Sequence, residues 1–156
     1  SEIDEISSLR VVLERFVVER VIHNWNATHE NTLRRIVAAM RSASQEGDYL
    51  RLYEQDYAFH RTLWEIAEHS ILLEIVSSLR THLNRFVNEA PSALPPEQAS
   101  RHVASHDEMI DILQRGDAAV AQAEITQHIL AAKERVLTYC QLEAAENGGA
   151  SPPLQP

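Results

Sequence analysis

Two glycine-aspartate pairs, Gly47-Asp48 and Gly116-Asp117, each divide long stretches of helical period, and they constrain this chain more than any other feature. In such a pair the glycine takes the left-handed position that ends one helix, and the aspartate caps the start of the next. Helices joined by so short a turn lie antiparallel, side by side. The flanking apolar residues recur at steps of three and four: Leu33, Ile36, Val37 and Met40 before the first pair, Val103, Ile110 and Leu113 before the second, and Ala121, Ile125, Ala132 and Val136 after it. Four glycines among 156 residues, in a chain rich in Ala, Leu, Glu and Arg, leave little material for strands and tight turns. The expected fold is all-α, an antiparallel bundle of six to seven helices enclosing a metal or ligand cavity.

The remaining helices follow from the same periodicity. The first is expected over Asp4 to His23, with Ile6, Leu9, Leu13, Phe16, Val17 and Val21 inward. Val11, Val12, Val18 and Ile22 make it apolar almost all round, which implies cover from a second subunit as well as from its own bundle. Thr28 is the expected N-cap of the second helix. The third, read as breaking after its first turn, ends near Glu68, and a cationic His69 suits its C-terminal dipole. The fourth places Leu72, Val76, Leu79, Leu83 and Phe86 on one stripe with Arg80 and Asn84 beside it, and Pro91 stops it. The effector-type domain is expected over residues 1–142, with a flexible tail over 143–156.

Composition excludes several classes. Fourteen basic against twenty-three acidic residues give a net charge of −9, the wrong balance for gripping a phosphate backbone. One cysteine, Cys140, rules out an internal disulfide and suits a reducing cytoplasm. No apolar run approaches the roughly 18 residues that a membrane span needs.

Four polar residues stand where the apolar stripes need hydrophobic ones. Asp56 and His60 lie one helical turn apart on the inward face defined by Leu52, Leu63 and Ala67. His106 and His128 interrupt the stripes of the helices flanking Gly116-Asp117. His106 precedes the turn by roughly 15 Å of helix and His128 follows it by roughly 16 Å, so the two imidazoles sit at one height on facing helices. A buried carboxylate costs several kcal/mol, in order of magnitude, unless a cation meets it. Three imidazoles and a carboxylate suit one divalent ion, zinc first, with nickel, manganese or iron as alternatives. His23, His29, His69, His82 and His102 lie off the stripes, His102 as a solvated flank. Arg10, on the edge of the first helix's buried face, is either an ordinary partner of Glu14 or a guanidinium aimed into the cavity.

Asp56-x-x-Phe59-His60, His106 with Ile110 and the Gly116-Asp117 turn, His128-Ile129, and the opening Leu9-Arg10-x-x-Leu13-Glu14 together resemble the metal-containing FCD domain. That domain is the C-terminal effector-binding and dimerisation half of FadR-subfamily, GntR-type transcription regulators. The resemblance covers about Glu2 to Leu137. It implies one divalent ion on Asp56, His60, His106 and His128, with a small organic acid completing the coordination. It also turns Arg10 toward that acid, and makes Arg10, Arg80 and Asn84 the expected effector contacts. A homodimer is implied, and DNA contact through a winged helix-turn-helix domain expected before Ser1 and absent from this chain. Ser70-Ile71 and Ser105 depart from the family's usual residues. No catalytic base or nucleophile motif accompanies the ligands, so no enzyme is expected. The rival is an HD-type metal phosphohydrolase, suggested by His106-Asp107 with Asp117 downstream; it requires Asp107, off the stripe of His106, as a ligand.

Overall fold

The computed structural model describes residues 1–87 and 95–148. Six helices follow one another in it: α1 (Glu2–His23), α2 (Ala27–Glu46), α3 (Tyr49–Ile66), α4 (Ser70–Val87), α5 (Pro96–Arg115) and α6 (Ala118–Gly148). No strand occurs among the described residues, so the expected all-α bundle is the observed one.

Both glycine-aspartate turns are built as their chemistry dictates. Gly47 and Gly116 have φ of 69° and 76°, the left-handed region open to glycine. Asp48 accepts from the backbone N–H of Arg51 at 3.1 Å, and Asp117 from that of Val120 at 3.1 Å. Two other ends differ from expectation. Asn26, not Thr28, caps α2, because its Oδ1 accepts from His29 N–H at 2.9 Å. His69 belongs to the following helix: its Nδ1 accepts from Leu72 N–H at 3.2 Å, while Phe16 packs edge-on against its ring. The C-terminal carbonyls of α3 are met instead from α1, Ala67 by Arg20 Nε at 2.5 Å and Ile66 by Asn24 Nδ2 at 2.8 Å. α3 is continuous from Tyr49 onward, without the break read after its first turn.

α1 runs against α6 and α4, while α2 packs on α3 and α5. Between them lie Val17, Val21, Leu33, Met40, Phe59, Leu63, Trp64, Ile110, Ile125 and Ile129, all closed to solvent. The rotation of α1 is the main departure from the periodicity. Leu9 and Phe16, expected inside, are on the surface, and Arg10 and Glu14 are buried in their place, 3 % and 1 % exposed. A helix apolar on nearly every side gives the hydrophobic effect no preferred face. The pairing of two buried charges is compatible with one rotation only, since an unpaired charge there costs several kcal/mol, in order of magnitude. α6 continues to Gly148, six residues past the expected end of the domain, and both residues 149–156 of the expected tail and Pro91 lie outside the described residues.

Candidate metal centre

Asp56 stands near the middle of α3, facing α5. Its Oδ1 is 2.9 Å from His106 Nε2 and 3.1 Å from His102 Nε2, and its Oδ2 is 3.3 Å from Arg80 Nη2. The heights inferred from the Gly116-Asp117 turn hold: the rings of His106 and His128 meet edge-to-face with centroids 4.6 Å apart. Ligand atoms of Asp56, His102, His106 and His128 all lie within 4.8 Å of one another. His60, the remaining expected ligand, stands beside this group, with Nε2 3.1 Å from His128 Nε2 and 3.7 Å from Asp56 Oδ1.

His102 is therefore no solvated flank. It sits one turn before His106, packs face to face on His128 and touches the same carboxylate oxygen as His106. Its signal was present in the sequence as an i, i+4 spacing to His106, the spacing that also relates Asp56 to His60.

Protonation logic shows what this cluster is suited to hold. His106 Nδ1 is 2.7 Å from the His102 carbonyl oxygen, an acceptor, so Nδ1 carries the proton. Its Nε2 stands 2.9 Å from the Asp56 carboxylate, a contact that needs positive charge between the two atoms, from a proton on that nitrogen or from a shared metal ion. The same carbonyl bond fixes the ring orientation, as partners behind metal-ligating histidines do. His60 and His128 also face each other through Nε2 atoms. Ligand atoms about 2.0–2.1 Å from one ion stand roughly 3 to 3.5 Å apart, close to the shortest separations in this cluster, 2.9 and 3.1 Å. A borderline divalent ion thus fits the residues present.

Electrostatics favour ligand over proton. Burial, then the neighbouring histidines His106 and His60, hold His128 well below the usual imidazole range. Burial lowers His60 and His102 too, against the opposing pull of Glu14 and Asp56 respectively. For Asp56 burial works upward, but hydrogen bonds from His102 and His106 and the field of His60 prevail and keep it ionised. Neutral imidazoles beside an ionised carboxylate form a ligand set in its binding state.

Behind His60 lies a second buried charge group. Arg10 holds Glu14 Oε1 through Nε at 2.8 Å and Nη2 at 2.6 Å, and Glu14 Oε2 approaches His60 Nδ1 at 3.7 Å. Among the described residues neither of those last two atoms has a hydrogen-bond partner, and nor does Arg80 Nε. The Arg80 guanidinium lies over Tyr53 and Tyr57, 5.4 and 5.6 Å from the ring centroids. Tyr53 in turn donates its hydroxyl to Asn84 Oδ1 at 2.6 Å. Arg10 thus has a carboxylate partner inside the chain, and Arg80, whose Nη2 contacts Asp56, stands nearest the cluster of the three expected effector contacts.

The phosphohydrolase arrangement is not formed. Asp107 turns away from His106 and pairs with Arg34 at 3.2 Å and with Arg41, joining α5 to α2. Asp117 is spent on its helix cap.

Comparison with known proteins places the fold and the family. A "Probable D-xylose utilization operon transcriptional repressor" of Paenarthrobacter nicotinovorans is 26 % identical over 151 residues, 97 % of this chain and 62 % of that protein. The chain thus spans less than two thirds of the relative's length. The solved structure of E. coli McbR/YncC superposes with a TM-score of 0.82 at 16 % identity, covering 87 % of this chain and 68 % of that one, a likeness of fold. Residues 5–131 match the FCD domain, and the chain belongs to that family.

Proposed function

We propose that this chain is the effector-sensing domain of a FadR-type transcription regulator, and that a small organic acid binds it at a divalent ion held by Asp56, His60, His106 and His128. The observation that carries this reading is the buried cluster in which ligand atoms of Asp56, His102, His106 and His128 lie within 4.8 Å of one another, with His60 beside them. Zinc suits the donors, and nickel, manganese or iron would fit them too. An ion on four protein ligands keeps a place open when it is five- or six-coordinate, and a carboxylate is a natural occupant. Arg80 supplies the positive charge beside that place, Asn84 lies behind it through Tyr53, and Arg10 joins the same buried network through Glu14.

The acid would signal by favouring one packing of the helices that it touches, as far as its affinity for the two packings differs. DNA contact would fall to a domain preceding Ser1, consistent with the greater length of the relative. No helix among the described residues is long and apolar enough to cross a membrane, in keeping with a cytoplasmic regulator. Such regulators work as pairs, and an apolar face fit for a second copy is present: Leu9, Val12 and Phe16 of α1 with Ile71 and Ile75 of α4, Val12 being 67 % exposed.

A thermal-shift screen of hydroxy, dicarboxylic, sugar and aromatic acids on zinc-loaded protein tests the function. At least one class should raise the melting temperature in a concentration-dependent way, because binding to the native state adds RT ln(1 + [L]/Kd). Turnover of a phosphate ester by the loaded protein, with no acid stabilising it, would overturn the reading.

A further inference from the structure

The cluster is enclosed unequally. Toward α1 and α4 it is backed by Arg10, Glu14 and Arg80, side chains 6 % exposed or less. Toward α5 and α6 a cleft of about 340 Å³ opens from the surface, lined by Gln98, Arg101, Gln127 and Arg135, with one carboxylate, Glu124, among them, and floored by His102 and His128. That volume admits a small acid. An acid coming from solvent by this route meets Arg135 and then His102 before it reaches Asp56.

Those two residues stand side by side, at the limit of hydrogen-bond reach. Arg135 Nη2 is 3.5 Å from His102 Nδ1, and His102 Nε2 is 3.1 Å from Asp56 Oδ1. Burial weighs against the charge of Arg135 and the more distant Asp56 carboxylate favours it, but among the described residues no carboxylate forms an ion pair or hydrogen bond with it. A half-buried guanidinium that no carboxylate holds directly is a receptor for one. His102 meanwhile offers a ring nitrogen to the cluster, together with ligand atoms of Asp56, His106 and His128. Counting His60, the chain offers five donors where the proposed ion needs four.

We propose that the α5–α6 cleft is the acid's way in and that His102 is a fifth, replaceable protein ligand, giving up its place to the incoming carboxylate, which Arg135 then holds. This rests on the metal-centred reading above and adds the route, the displaced ligand and a specificity residue to it. In the exchange one His102 nitrogen leaves the ion and one carboxylate oxygen arrives, with no change of oxidation state. Arg135 lies outward of His102, and Arg80 contacts Asp56 on its other oxygen. Acids carrying polar groups at both ends, such as dicarboxylates and sugar acids, therefore suit this site better than acids with an apolar tail. The exchange also frees the start of α5 from the ion, which ties effector arrival to a movement of that helix.

Cobalt(II)-substituted protein tests this by proton NMR, since every imidazole on the ion gives far-shifted ring resonances. Four shifted imidazoles are expected in the wild type and three in His102→Ala, with His102→Gln in its place if the alanine variant fails to fold by circular dichroism. Saturating acetate should remove from the wild type the same set that His102→Ala lacks, and Arg135→Gln should weaken acetate about tenfold. Three imidazoles in the wild type, unchanged in the variant, would overturn the proposal, as would acetate binding that leaves all four in place. Failure of cobalt or of every acid to bind would refute the function itself; binding of both with the His102 signals unmoved refutes the exchange alone.

Discussion

Replacing Arg10 with methionine removes the partner of a carboxylate that is 1 % exposed, and it isolates the charge pair that sets the rotation of α1. Glu14 ionises at about 2 in the folded protein against 4.5 ordinarily: burial works upward, but Arg10 and then His60 prevail. In Arg10→Met burial dominates, and the carboxyl must stay charged without Arg10 or take up a proton. Protonating an ordinary carboxyl at pH 7 costs about 1.4 kcal/mol for each pH unit above 4.5, about 3 kcal/mol in all. That route caps the charge penalty, and the lost side-chain packing adds to it. The total falls within the roughly 3–5 kcal/mol found when one member of a buried pair is removed.

The sign with pH follows. In the wild type the depressed carboxyl contributes stability that is present above pH 4.5 and lost as pH falls toward 2. In Arg10→Met the carboxyl is raised, so its penalty grows above pH 4.5 and shrinks to about 1 kcal/mol at pH 5. Urea denaturation of metal-free protein at pH 7 and pH 5 measures both. The double variant Arg10→Met/Glu14→Leu should recover most of the loss, because an apolar pair of similar volume replaces a buried ion pair at little cost. A loss below about 1 kcal/mol at pH 7, or a loss equal at the two pH values, would refute the buried-pair reasoning.

Further outcomes follow from other residues. His128→Ala should purify with less than a tenth of the wild-type ion content by elemental analysis; full retention would remove His128 from the ligand set. Metal-free protein should lose stability as pH falls through about 6.5, because burial keeps His60, His102 and His128 neutral while the unfolded chain takes up protons first; a flat melting temperature between pH 7.5 and 5.5 would contradict that. Gly116→Ala should cost about 1–2 kcal/mol in urea through its left-handed backbone alone, since the added Cβ would meet Ile22 Cγ2 at an ordinary 3.9 Å. Asp107→Asn should cost about 1 kcal/mol or less and leave ion binding unchanged, its partners Arg34 and Arg41 being at the surface.

The helices and the heart of the site were legible because their signals are local. Gly47-Asp48 and Gly116-Asp117 state a helix end and a helix start in two residues, and counting along two antiparallel helices was enough to bring His106 to His128. Asp56 declared itself as a carboxylate on an apolar stripe. The rotation of α1 was not legible, since Leu9, Phe16, Val17 and Val18 satisfy more than one face and the choice rests on Arg10 meeting Glu14 inside the bundle. His69 was misplaced because a histidine between two helices can serve the end of one or the start of the next, and the chain direction at Glu68, with φ of 51°, decides it. His102 showed in the sequence only its i, i+4 spacing to His106; that its ring reaches to 3.1 Å from Asp56 across the bundle is a tertiary fact.

Calorimetric titration of the most stabilising acid into zinc-loaded and chelator-stripped protein, side by side, tests the metal-dependent sensor most directly. Coordination of the acid by the ion predicts a loss of at least a hundredfold in affinity on stripping, about 2.7 kcal/mol, reversed when zinc is restored. Equal dissociation constants for the two forms would contradict it.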